Sequence, residues 1–212
     1  MVSEVKTPLD LIGGFRGSGK TALIRSMAET LWGEERVVFL LNERGRTNLD
    51  GLGLTVEEWR GGCICCTASS LLEQAMAELL AKYRPDRLVL ELAETGRLTD
   101  ARALFDQPNS GFRVEHIIFV LNGIDFTRRW ALSREFMVRQ FRDSRAVWLN
   151  GVEEAGAAEI LAAIHTAAPR CSVFRNLDEL EELYRASRVF TEIGMYGDLG
   201  GRYRPTSGFM LQ

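Results

Sequence analysis

The sequence predicts an α/β fold of three layers, a mostly parallel sheet covered by helices on both faces. Short apolar runs alternate with stretches of helical periodicity along the whole chain. The runs are continuously apolar rather than alternating, as expected for strands buried on both faces. At 212 residues, with 46% hydrophobic and 26% charged residues, the chain fits one globular domain and not a long disordered segment.

The first strand is read at 9–13, running into a glycine-rich turn. A helix follows over 20–32, with Leu23, Ile24, Met27 and Leu31 on one face. The run 37–41 is a strand of β-branched and bulky residues. Leu72, Ala75, Met76, Leu79 and Tyr83 mark a second helix over 71–83, ended by Pro85. Further strands fall at 88–92, 116–121 and 146–149, with helices near 99–105 and 134–141 between them. A helix over 153–168 is closed by Pro169, and 171–174 and 177–186 form a last strand and helix. Parallel connections of this kind should be right-handed crossovers. We read residues 1–190 as the domain and 191–212 as a Gly-rich C-terminal tail.

A net charge of -3 offers no basic excess for nucleic acid or an anionic membrane surface. No run approaches the ~18 apolar residues of a membrane span, and residues 1–10 lack a signal-peptide core. A cytoplasmic protein is expected. Three of the four cysteines, Cys63, Cys65 and Cys66, crowd within four residues, too close for unstrained mutual disulfides. In a reducing compartment such a cluster reads as metal ligands or redox groups. Cys171 reads as a small core residue.

The strongest motif is Gly14-Phe15-Arg16-Gly17-Ser18-Gly19-Lys20-Thr21, which fits G-x-x-x-x-G-K-[ST] between a strand and an amphipathic helix. Glycines let the backbone wrap closely around phosphate, and the N–H groups at the helix N-terminus attract the anion. Lys20 should reach the β- and γ-phosphates, and Thr21 should hold Mg²⁺. The motif specifies a nucleoside triphosphate without choosing between GTP and ATP.

A phosphate loop, then Asn42-Glu43-Arg44-Gly45, then Gly62-Cys63-Ile64-Cys65-Cys66 resembles the CobW-type metallochaperone GTPases, grouped with HypB and UreG. The resemblance covers residues 8–175. It implies that the thiolates of Cys63, Cys65 and Cys66 bind a transition metal, Zn²⁺ as first choice with Co²⁺, Ni²⁺ or Fe²⁺ compatible. It makes Glu43 the candidate fourth ligand, with water or a second chain as alternatives.

The family's acidic strand end has two candidates here, Glu91 by counting along the strand and Glu94 by counting back from Thr95-Gly96. We favour Glu91 for the Mg²⁺ or water-orienting role. GTPases of this type read guanine with Asn-Lys-x-Asp. Asn150-Gly151-Val152-Glu153 and Asn122-Gly123-Ile124-Asp125 are both similar. The family order, with Gln140 ahead of the preceding strand, favours Asn150 and Glu153, although Asn150-Gly151 also reads as a plain turn. Gly replaces the usual Lys and Glu the usual Asp; the extra methylene moves the carboxylate by about 1.5 Å. A reduced preference for GTP follows. Ala22 is a further departure, where many relatives carry a second Thr.

The resemblance is to a nucleotide domain alone, since the C-terminal domain of full CobW-type proteins has no counterpart here. It implies a GTP-hydrolysing metallochaperone acting with a client metalloprotein, a separate partner chain or a second copy of itself. A nucleotide-binding metal or redox sensor without significant turnover is the alternative. A small kinase is a third reading, though no arginine-rich lid is visible.

Overall fold

The computed structural model of the protein describes residues 6–33, 35–42, 49, 52–59, 64 and 69–192. Seven strands form one sheet in the order β3-β2-β4-β1-β5-β6-β7, and every pairing is parallel. The strands are β1 (Thr7–Gly14), β2 (Val37–Leu41), β3 (Thr55–Glu58), β4 (Arg87–Glu91), β5 (Phe112–Asn122), β6 (Ala146–Asn150) and β7 (Ser172–Phe174). The helices are α1 (Lys20–Thr30), α2 (Ser69–Tyr83), α3 (Leu98–Phe105), α4 (Phe126–Asp143), α5 (Glu154–Ala167) and α6 (Leu177–Glu192).

Alternate residues of the strands feed two cores. Leu9 and Leu11 of β1 pack with Leu72 and Met76 of α2, Phe105 of α3, Phe141 of α4 and Ile160 of α5. Ile12 faces the other way, to Ile24 and Met27 of α1 and Leu180 of α6. Burial on both faces explains why β2 and β4 read as unbroken apolar runs.

Four elements differ from the sequence pattern. Strand β3 has no apolar run to announce it: Thr55-Val56-Glu57-Glu58 is half-buried and lies at the sheet edge. Strand β5 begins at Phe112 rather than at residue 116, because Glu115 is buried against Arg87 and Arg113. Helix α4 begins at Phe126 rather than at residue 134. Ser133 inside it is non-helical (φ -141, ψ 28), and this kink interrupts the period. Helix α6 continues past residue 186 to Glu192. The glycine-rich segment 194–212 lies outside the described residues. Among the described residues, no helix is long and apolar enough to cross a membrane.

Candidate nucleotide site

Parallel strands bring the loops after their C-terminal ends to one edge of the sheet, where α/β folds place their ligands. The loop between the central strand β1 and α1 lies there. Gly14 has φ +144, and a Cβ would collide with the Val120 carbonyl of β5 and crowd the Ser18 hydroxyl. Gly19 stands before α1 with φ +98, where a side chain would strike the Asn150 amide. Only glycine lets the chain turn this tightly into the helix. The Ser18 N–H donates to the Phe15 carbonyl at 3.1 Å, closing the loop.

Lys20 is 5% exposed. Its Nζ donates to the carbonyls of Gly14 at 3.0 Å and Phe15 at 3.2 Å, and stands 3.6 Å from Glu91 Oε1. Glu91 ends β4, 6% exposed, and faces the ammonium. Thr21 follows, half-buried in the first turn of α1. The Ser18 hydroxyl is buried with no hydrogen-bond partner among the described residues. An orphaned donor, a cradle that admits no Cβ and a buried ammonium together fit a bound phosphate. The Thr21 hydroxyl and the Glu91 carboxylate are hard oxygen donors of the kind that suits Mg²⁺.

Glu94 lies elsewhere. Its Oε1 accepts from Arg129 Nη1 of α4 at 3.3 Å, and the same guanidinium lies 4.5 Å above the Phe15 ring. Of the two carboxylates, Glu91 meets Lys20 and Glu94 is paired with α4. Gln140 is 1% exposed; it donates to the Gly96 carbonyl at 3.0 Å and accepts from the Leu98 N–H at 3.2 Å. It thereby fixes the loop that carries Glu94.

The two Asn-Gly segments are neighbours. Asn122 and Asn150 pair across β5 and β6, and the Gly123 N–H donates to the Asn150 carbonyl at 2.7 Å. Asn150 Nδ2 donates to the Ser18 carbonyl at 3.0 Å, while its Oδ1 accepts from Trp148 Nε1 at 2.9 Å. Asn150 therefore locks the strand end onto the phosphate loop. Asn122 Oδ1 is spent on its own turn, accepting from the Ile124 N–H at 2.9 Å. The Glu153 carboxylate is exposed and does not cap α5. Asp125 is 3.7 Å from Arg128 on the surface.

Glu43, Cys63, Cys65 and Cys66 lie outside the described residues. Two of their neighbours are described. Ile64 is fully buried and its N–H donates to Asn42 Oδ1 at 3.1 Å. The Asn42 N–H donates to the Glu91 carbonyl at 3.1 Å. Asn42 thus bridges the middle residue of Cys-Ile-Cys-Cys to the strand end that faces Lys20. The sequence named Asn42 and Ile64 only as parts of motifs; their hydrogen bonds carried no separate signal.

Sequence reasoning missed a second charged cluster. Asp10 is completely buried in β1. Arg87 Nη1 donates to both its oxygens at 3.1 and 3.0 Å and to Glu115 at 2.9 Å, and Arg87 Nε donates to Glu35 at 2.8 Å. His116 Nδ1 lies 2.8 Å from Asp10 and Nε2 lies 3.0 Å from the Ser187 hydroxyl. The Tyr184 hydroxyl donates to Asp10 at 2.7 Å, its ring stacked on His116. Burial alone would push the Asp10 carboxyl up; Arg87, His116 and Tyr184 outweigh it and hold the pKa down at about 2. Asp10, Glu115 and His116 could form a metal donor set, but the Arg87 guanidinium already fills the place of the cation.

A family described as CobW/HypB/UreG, nucleotide-binding domain, matches residues 8–176. Among curated relatives, the zinc chaperone YeiR of Escherichia coli is 36% identical over 90 residues, 40% of this chain and 27% of that protein. The zinc chaperone CobW of Sinorhizobium sp is 30% identical over 134 residues, 57% of this chain and 38% of that protein. The chain thus spans well under half the length of these relatives. Among solved structures, Zn(II)-bound YjiA GTPase from E. coli superposes with a TM-score of 0.61 at 18% identity, over 98% of this chain and 64% of that one. HypB from Archaeoglobus fulgidus gives 0.57 at 19%, over 88% and 90%. At such identities these two structures speak for the fold alone.

Proposed function

The chain belongs to the CobW/HypB/UreG family, and from that premise we propose that it is a Mg²⁺-dependent GTPase that carries a transition metal as cargo. The metal binds at Cys63, Cys65 and Cys66, with Glu43 as fourth ligand, and Zn²⁺ is the first choice because curated relatives are named zinc chaperones. Residues 1–190 act as the working unit, in the reducing cytoplasm that keeps thiolates free for metal. The recipient is a client metalloprotein, reached through a separate chain or a second copy.

One observation carries the coupling of the two ligands: the hydrogen-bonded path from Ile64 through Asn42 to Glu91. In this reading Lys20 leaves the carbonyls of Gly14 and Phe15 and neutralises the β- and γ-phosphates. Gly14, Gly17 and Gly19 offer backbone N–H groups, and Ser18 adds a hydroxyl that has no hydrogen-bond partner among the described residues. Thr21 and Glu91 would hold Mg²⁺, which screens the phosphate charge when bound. With Lys20 moved onto the phosphates, the Glu91 carboxylate serves Mg²⁺ or, in its place, orients the attacking water. Any shift of Glu91 pulls on Asn42 and so on Ile64, between the metal-binding cysteines. Asn150 holds the base-reading segment to the phosphate loop, and Glu153 faces the base. Binding energies so linked act reciprocally.

The test is GTP and ATP turnover on reduced protein with Zn²⁺ titrated in and bound metal counted. We expect one Zn²⁺ per chain, a change in GTP turnover on loading, and loss of both in the C63S/C65S/C66S variant. Metal binding with no turnover under any condition would favour a sensor module instead. Nucleotide binding with neither metal uptake nor metal-dependent turnover would end the chaperone reading.

A further inference from the structure

An aliphatic side chain stands exposed where the base-reading segment lacks its usual lysine. Ile124, in the turn after β5, is 79% exposed. Burying such a side chain is favourable, and Ile124 is displayed instead. Its position is nevertheless fixed. The Ile124 N–H is held by Asn122 Oδ1 at 2.9 Å, and the preceding Gly123 N–H is held by the Asn150 carbonyl at 2.7 Å. Gly123 is pressed against Val152, so closely that a Cβ there would meet Val152 Cβ at 2.6 Å. The turn of Ile124 is therefore interlocked with the segment from Asn150 to Glu153.

Within that lock, Ile124 lies over Gly151. A Cβ placed on Gly151 would stand 3.3 Å from Ile124 Cδ1 and 3.4 Å from Cγ1. The space that a side chain at 151 would claim is filled by the neighbouring turn. We propose that Ile124 is the base-contacting residue of this site, supplying the apolar cover over one face of the purine ring that residue 151, as glycine, cannot supply. The inference rests on Asn150 to Glu153 being the base-reading segment. It adds a residue from the other Asn-Gly turn, which is thereby part of the same site. An aliphatic platform accepts any purine, since it offers no hydrogen bond, so discrimination between guanine and adenine falls to the polar groups of the segment from Asn150 to Glu153.

The experiment is calorimetric titration of the reduced full chain with GDP, ADP and inorganic tripolyphosphate, which has no base. Wild type, I124A and I124L are compared. We expect I124A to lose about tenfold in affinity for both GDP and ADP, to bind tripolyphosphate as wild type does, and I124L to retain purine affinity. At 79% exposure the substitution leaves folding intact. If wild type binds GDP more tightly than tripolyphosphate and I124A does so equally well, the inference is overturned while the base-reading assignment stands. If wild type gains nothing from the base, that assignment falls and takes the inference with it.

Discussion

Strand β1 has buried charge at both ends. Near its N-terminal half, Asp10 is met by Arg87, His116 and Tyr184, and Arg87 in turn by Glu115 and Glu35. Beyond its C-terminal end, Lys20 holds two backbone carbonyls and faces Glu91, and the Ser18 hydroxyl beside it has no partner among the described residues. The first cluster closes on itself: its strongest donor is matched by three carboxylates and leaves nothing for a ligand. The second keeps groups whose bonds can be exchanged for better ones. Four residues of strand, about 13 Å, separate a network that stabilises from the one proposed to bind phosphate. Buried charge is by itself no sign of function; incomplete satisfaction is the sign.

The most severe challenge to that contrast is R87M. Removing the guanidinium leaves Asp10 and Glu115 buried without a cation, which should cost about 3–5 kcal/mol. Urea unfolding should show the loss, and GDP affinity of the remaining folded protein should be unchanged. The counterpart is K20M. It should weaken GTP binding about a hundredfold, as expected for charge-assisted bonds to phosphate, with a smaller loss of stability than R87M; calorimetry and unfolding on the same sample decide. Acid is the gentlest probe. The Asp10 pKa of about 2 lies below the ordinary 3.8, so its contribution is complete above about pH 5 and is lost as the pH falls toward 2. The loss should be about 2 kcal/mol, read as a falling unfolding midpoint between pH 5 and pH 2. A flat midpoint across that range would mean that the closed cluster does not act as one.

The loop after β1 was far more legible than the cluster around Asp10. Gly14 to Thr21 announces itself because a phosphate cradle needs glycine at particular positions, and those positions are adjacent in sequence. Strands β1, β2 and β4 were legible because burial on both faces leaves them uniformly apolar. Strand β3 was not, since an edge strand with polar residues has no such run. Asp10, Arg87 and Glu115 are scattered along three strands, and only the β4-β1-β5 pairing brings them together. Read singly, Arg87 looks like a solvated charge at a strand start. Counting left Glu91 and Glu94 as rival candidates with Glu91 favoured; in the structure Glu91 meets Lys20, and Glu94 pairs with Arg129 from a helix whose start the Ser133 kink conceals. The two Asn-Gly turns read as rivals because sequence lists them apart, whereas the β5-β6 register sets them side by side.

The bond from Tyr184 to Asp10 spans 174 positions of the chain. A carboxylate made among the first residues must wait for a hydroxyl made near the last described helix. During synthesis at roughly 5–20 residues per second, the nascent sheet therefore spends many seconds with Asp10 short of its donors and one face short of α6. Contacts of such long sequence separation also slow the final closure. Until α6 emerges, the sheet face that Leu180, Leu183 and Tyr184 cover stays open on the half-made chain.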